Sequence, residues 1–218
     1  LGSALRGDFG ESIRLQQPVS TVIASRLGLT VALATLSFLI AAITAIPLGI
    51  LSASRAGTST DRFASALALL GLSAPTFALA ILLLFLFAYL LPLFPAFGGG
   101  KSPLDTLWHL VLPAVSLAAG IGAILMRMTR AAVLRELESD AITFARARGL
   151  SEREVQGVAL RGAAIPIVTG AGLILTFIIG GTIIVETVFA LPGLGSLLQE
   201  SVLFKDLPVV QAVTLLIA

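Results

Sequence analysis

The segment Gly98–Ser102 reads GGGKS and holds the second half of a phosphate-binding loop, where glycine amides and a lysine cradle phosphate oxygens. The pattern asks for glycine where Pro95 stands, and for a strand before the loop and a helix after it. Here an apolar run precedes it and Pro103 follows, so the loop is not expected to bind ATP. Ser73 and His109 raise a second chemistry, intramembrane serine proteolysis, in which nucleophile and base must come within hydrogen-bond reach. Ser73 lies about 27 Å along its run from the end at Leu91, at the helical rise of about 1.5 Å per residue. His109 sits at the mouth of the next run, so depth separates the pair. Glu186 is a carboxylate inside an apolar run, and such a residue is a functional candidate by default. Its place near the end of the run predicts instead that it reaches the membrane interface. A proton-coupled transporter would want more such groups at greater depth. With no cysteine and a single histidine, the chain offers neither thiol chemistry nor a multi-histidine metal site.

The elements that must carry these residues are membrane spans. Of 218 residues, 57% are hydrophobic and 12% charged, about half the charged share of soluble domains. The mean hydropathy is +1.04. Apolar runs over about 27–52, 63–91, 107–134 and 163–190 are each long enough to cross a hydrocarbon core of about 30 Å. Their length and continuity favour helices over barrel strands, because lipid offers no partner for free backbone groups. Each holds a proline: Pro47, Pro75, Pro113 and Pro166. The run at 208–218 is too short to cross, and residues 1–26 lack the pattern of a signal peptide. Both ends are therefore expected to be truncations. The reading is an all-α polytopic membrane bundle, with an external segment over 1–26 and a transmembrane domain over 27–218.

Charge sets the orientation. Loops on one side hold Arg55, Arg62, Arg127, Arg130, Arg135, Arg146, Arg148, Arg153 and Arg161. The other side holds Arg6, Arg14, Arg26, Lys101 and Lys205. The positive-inside rule makes the arginine-rich side cytoplasmic.

That side carries the most informative stretch, the loop over 136–161. Asp140–Arg148 is predicted to be helical, with Ala141, Phe144, Ala145 and Arg148 on one face. Gly149 suits the left-handed position that ends a helix. Ser151 and Glu154 have capping-box spacing, with the Ser151 hydroxyl on the Glu154 amide and Glu154 reaching back. A short second helix is predicted to end near Arg161, with Val155, Val158 and Ala159 on one face. These features fit a solvated amphipathic loop at the lipid surface. They also fit a pre-organised docking element for a protein partner. A nucleic-acid-binding role is not expected: both ends are tethered to the membrane, and Glu136, Glu138, Asp140, Glu152 and Glu154 offset the arginines.

ARARGLSEREV followed by ALRGAAIPIVT resembles the cytoplasmic signature loop of ABC importer permeases, in their dipeptide, oligopeptide and nickel branch. RGDFGESI, IPLGILSASRAGTSTDR, GLSAPTF, HLVLPAVSLA and VETVFALPGLGSLLQESVLFKDLPVVQ resemble further segments of the same family, in order. Two features depart from the general signature: Thr143 stands where an acidic residue is usual, and Pro166 follows Gly149 by one helical turn more. Ala141 departs from the branch, which usually has an aromatic residue there.

The resemblance implies a type I ABC importer permease in a prokaryotic inner membrane, forming half of a pathway for di- or oligopeptides or a related solute. It implies a second, paralogous permease subunit, two cytoplasmic ATPase subunits that bind ATP and magnesium, and an external substrate-binding protein. It assigns ATPase coupling to Ala145, Arg146, Ala147, Arg148, Gly149, Leu150 and Ser151, with Glu152 flanking. No cofactor or catalytic residue is implied for this chain. Thr169, Thr176 and Thr182 are candidates for lining the pathway, although threonine in a membrane helix often bonds its own backbone.

Overall fold

The computed structural model describes residues 9–217, and every regular element among them is a helix. Arg6 and the first residues of the RGDFGESI segment lie outside the described residues. Helix α1 spans Val19–Ser54, α2 Ser59–Ser73 and α3 Thr76–Leu84, continued by a π-helical turn over Phe85–Leu90. Helix α4 spans Pro103–Leu137, α5 Asp140–Ala147, α6 Glu152–Val188, α7 Leu194–Leu203 and α8 Leu207–Ile217. Helices α1, α4 and α6 are each long and apolar enough to cross a membrane, while α2 and α3 with its π turn qualify only as a pair.

The boundaries differ from the sequence reading in ways that local chemistry explains. Helix α1 begins at Val19, not near Leu27, because Pro18 directly precedes it and the polar residues that follow remain compatible with a helix. The run over 63–91 is not one continuous helix. It breaks at Ala74, which takes an extended backbone (φ −79°, ψ 119°), the conformation a following proline imposes. Pro47, Pro113 and Pro166 stay inside their helices. Helix α4 starts with Pro103 in its first turn, where the missing N–H leaves no helical bond unmade. The second short helix of the arginine-rich loop does not end near Arg161 but continues through Pro166 into the span as α6.

The chain divides into two compact units. The first comprises Leu1–Ser37, Thr76–Leu117 and Phe177–Ala218, and the second Phe38–Pro75 and Ala118–Thr176. The core of the first gathers Val19, Val22 and Ile23 of α1 with Leu194 and Leu197 of α7 and Val209, Ala212 and Val213 of α8. In the second, Ala53, Val133, Ala163 and Ile167 join α1, α4 and α6. Small residues permit that approach: a Cβ on Gly49 would stand 2.7 Å from the Met126 carbonyl oxygen and from Thr129 Cβ, so α1 meets α4 there only because residue 49 is glycine.

Candidate functional site

The arginine-rich turn is built in the second unit from α5 and the start of α6. Asp140 begins α5, where a carboxylate suits the amino end of a helix. The end of α5 is a complete Schellman motif. Gly149 N–H donates to the Arg146 carbonyl at 2.9 Å, and Leu150 N–H donates to the Ala145 carbonyl at 3.2 Å. Gly149 has φ +80°, as expected for that position. Glu154 reaches back to accept from the Ser151 amide at 2.8 Å. The other half of the expected capping box is different: the Ser151 hydroxyl donates to the same Glu154 carboxylate at 2.8 Å, in place of accepting from the Glu154 amide. Arg146 closes the outside of the turn through Nε to Glu152 Oε1 at 3.2 Å.

Ile142, Ala145, Val155 and Ala159 form the interior of the turn, supported by Leu137, Leu150 and Val158. The four residues predicted to share a face of α5 lie mostly on its outer side. Ala145 is inside, but Ala141 and Arg148 are exposed and Phe144 points outward with 70% of its surface accessible. Of the residues assigned to coupling, Ala145 and Leu150 hold the turn together, and Arg146, Ala147, Arg148, Gly149, Ser151 and Glu152 are exposed. Phe144 is thus a large apolar side chain at the turn's surface. With period-3.6 positions on both sides of so short a helix, Ile142 and Phe144 compete for the interior.

Leu137, the last residue of α4, packs against both the turn interior and the α1–α4–α6 cluster. The turn is therefore joined by contact to α4 and by continuous backbone to α6.

A network that sequence reasoning missed braces the same unit. The Asp61 carboxylate accepts from Arg130 Nε at 2.7 Å, Arg130 Nη2 at 2.9 Å, Ser52 Oγ at 2.6 Å and Gly57 N–H at 2.9 Å. It ties the end of α1, the α1–α2 turn and the start of α2 to α4. Read singly, Arg130 counts only toward orientation and Asp61 only as a helix-start acid; nothing in their spacing pairs them.

In the first unit Glu186 is fully buried and does not reach an interface, contrary to the sequence reading. Its Oε1 accepts from Thr30 Oγ1 at 2.6 Å, and its Oε2 accepts from the amides of Gly195 at 2.7 Å and Ser196 at 3.0 Å. Thr30 Oγ1 accepts in turn from Leu194 N–H at 2.8 Å. Two side chains from distant positions thus cap α7, whose N-cap, Gly193, has no side chain to do so. A Cβ on Gly195 would collide with the Ile183 Cα, so residue 195 must be glycine, and a Cβ on Gly193 would displace the Glu186 carboxylate from its place. A capping residue absent at the start of α7 is the sequence signal that points to a partner elsewhere.

Thr169 and Thr176 are exposed on α6, and Thr182 is buried. Thr176 and Thr182 donate to the carbonyls of Leu173 and Ile179 on their own helix, at 2.7 and 2.8 Å. In the GGGKS segment, Lys101 N–H donates to Asp105 Oδ2 at 2.7 Å, so that amide serves the start of α4. His109 Nδ1 donates to the Asp105 carbonyl at 2.8 Å. Ser73 is an exposed residue at the end of α2.

Residues 45–218 match the family described as binding-protein-dependent transport system inner membrane component. The chain belongs to that family. It is 43% identical over 212 residues to a peptide transport system permease protein of Brucella abortus (strain 2308), covering 95% of this chain and 68% of that protein. It is 40% identical over 217 residues to the glutathione transport system permease protein of Escherichia coli (strain K12), covering 99% of this chain and 69% of that protein. Its fold matches a chain of the inward-facing methionine ABC transporter MetNI with a TM-score of 0.72 at 20% identity, over 90% of this chain and 88% of that one. This member of the family is thus an all-α, multi-pass membrane permease subunit of an ABC transporter, a transport component and not an enzyme. The family works with ATPase and substrate-binding partners. Neither the protease nor the proton-coupled reading is supported.

Proposed function

We propose that this permease forms half of the pathway of an ATP-driven peptide importer in a prokaryotic inner membrane, and that the α5–α6 turn receives the motion of a cytoplasmic ATPase. The substrate class rests on similarity of about two residues in five to permeases named for peptide and glutathione transport. A single structural observation carries the coupling role. A turn locked by a Schellman motif, with Phe144 and Arg148 outward, runs without interruption into the membrane-length helix α6. A load on the exposed face of such a turn is transmitted as rigid-body movement, because its interior is packed and α6 has no break near it. The positive-inside rule puts this face in the cytoplasm. ATP and magnesium then belong to two ATPase subunits, a paralogous second permease completes the pathway, and an external binding protein delivers substrate.

The test is uptake of labelled dipeptide, oligopeptide and glutathione into proteoliposomes holding the full-length protein with its transporter partners. Gly149→Val puts a β-branched residue where φ is +80° and should abolish ATP-driven uptake while the subunits still co-purify. Uptake that persists without ATP hydrolysis and collapses with the proton gradient would overturn the reading.

A further inference from the structure

We infer that a basic pocket between α2 and α4, on the arginine-rich side, holds the phosphate headgroup of an anionic phospholipid. The pocket is about 380 Å³ and is lined by Ser65, Leu69, Arg127, Arg130 and Ala131, all within the second unit. That volume lies at the small end of ligand-binding cavities, enough for a headgroup whose acyl chains remain outside.

Its charge is lopsided. Arg130 spends Nε and Nη2 on Asp61, and among the described residues its Nη1 has no hydrogen-bond partner. Arg127 is exposed and makes no ion pair among the described residues. Two guanidinium groups thus line one cavity: Asp61, bonded also by Ser52, Gly57 and the lining Ser65, meets the charge of Arg130, and the charge of Arg127 is left for a ligand. An anion with several acceptor oxygens satisfies such a pair, and phosphate oxygens suit guanidinium forks.

Depth and surroundings favour a lipid as its source. Arg127 stands about 15 Å along α4 from the helix end at Leu137, and Ser65 about 9 Å along α2 from its start at Ser59, at about 1.5 Å per residue. Long basic side chains at that level extend toward headgroups. Leu69, which lines the pocket, is 60% exposed, and Leu70 and Phe63 on the same helix are 68% and 70% exposed. A soluble anion has no use for that surface, whereas acyl chains cover it. Basic pockets between membrane helices on the positively charged side are a recognised form of lipid recognition.

The experiment is native mass spectrometry of the assembled full-length transporter with phosphatidylglycerol, compared with phosphatidylcholine. Wild type should retain phosphatidylglycerol selectively, and Arg127→Gln should weaken that retention about fivefold. Arg127→Lys should keep most of it. Arg153→Gln, an exposed arginine outside the pocket, should change nothing. Arg127 is chosen because it takes no part in the Asp61 network, and an unchanged melting temperature will show that the variant folds. Equal retention by wild type and Arg127→Gln overturns the proposal. Displacement by millimolar inorganic phosphate or by transported peptide also overturns it, since the site would then belong to a soluble anion or to the substrate path.

Discussion

Asp61 in the second unit and Glu186 in the first are both withdrawn from solvent, at 5% and 0% exposure, yet their charges are met by different kinds of partner. Asp61 faces a formal cation: Arg130 grips it with two nitrogens, and Ser52 and Gly57 fill the remaining positions. Among the described residues, Glu186 makes no salt bridge. It faces a hydroxyl and two amides at the start of α7, where unpaired N–H groups already carry partial positive charge. A buried carboxylate is costly unless paired and hydrogen-bonded; Asp61 has both kinds of partner, and Glu186 is met by hydrogen bonds alone. They differ in what each needs to keep. Asp61 and Arg130 each depend on the other's charge, so losing either strands the survivor. Glu186 depends on lone pairs in the right place, because its amide donors are uncharged and cannot leave. The unit that carries the candidate coupling turn is thus braced by side chains, and the unit that carries the LPGLG segment by backbone.

The largest effect should therefore come from Arg130→Met. It leaves Asp61 buried without its cation and should lower the stability of the purified full-length protein by about 3–5 kcal/mol. Asp61→Asn combined with Arg130→Met should recover part of that loss, which denaturation in detergent can measure as a double-variant cycle. A double variant no more stable than Arg130→Met would mean that charge pairing is not what holds the site. Glu186 supplies the contrast. Glu186→Ala leaves the Gly195 and Ser196 amides and the Thr30 hydroxyl unmatched and should cost about 2–3 kcal/mol. Glu186→Gln keeps an acceptor in place and should cost nearer 1 kcal/mol. If Glu186→Gln is as damaging as Arg130→Met, the distinction between charge and acceptor geometry fails.

The same comparison explains what could be read from the sequence. Glu186 stood out because a lone carboxylate in an apolar run breaks a local pattern, but its role did not follow, since its partners, Thr30 and residues 194–196, are set by tertiary packing. Asp61 and Arg130 broke no pattern and were lost among loop charges. Helix existence was legible from run length, and the end of α5 from Gly149, because both are local. The break at Ala74 was not legible: Pro47, Pro113 and Pro166 occur in similar runs without ending them. The outward position of Phe144 was also hidden, because an eight-residue helix offers two apolar faces and only its partners choose between them.

A third carboxylate tests how far the backbone-held arrangement extends. Asp206, in the turn between α7 and α8, accepts from the Ser12 hydroxyl and from the amides of Ile13 at 3.2 Å and Arg14 at 3.3 Å. Burial alone would raise its pKa, but the hydrogen bonds from Ser12, Ile13, Arg14 and Val209 outweigh burial and hold it below the ordinary aspartate value. A carboxyl whose pKa is depressed by folding contributes its stability fully above the unfolded value of about 3.9 and loses it as pH falls through the folded value. Acidification should therefore loosen the 10–18 segment from the α7–α8 turn only below about pH 4. Hydrogen exchange of the Ile13 and Arg14 amides reads this directly. Asp206→Asn should raise that exchange at neutral pH, with a stability loss of about 1 kcal/mol, and should flatten the acid dependence. Exchange that accelerates equally with acid in wild type and Asp206→Asn would assign the loosening to another group. It would also confine the backbone-held carboxylate to Glu186.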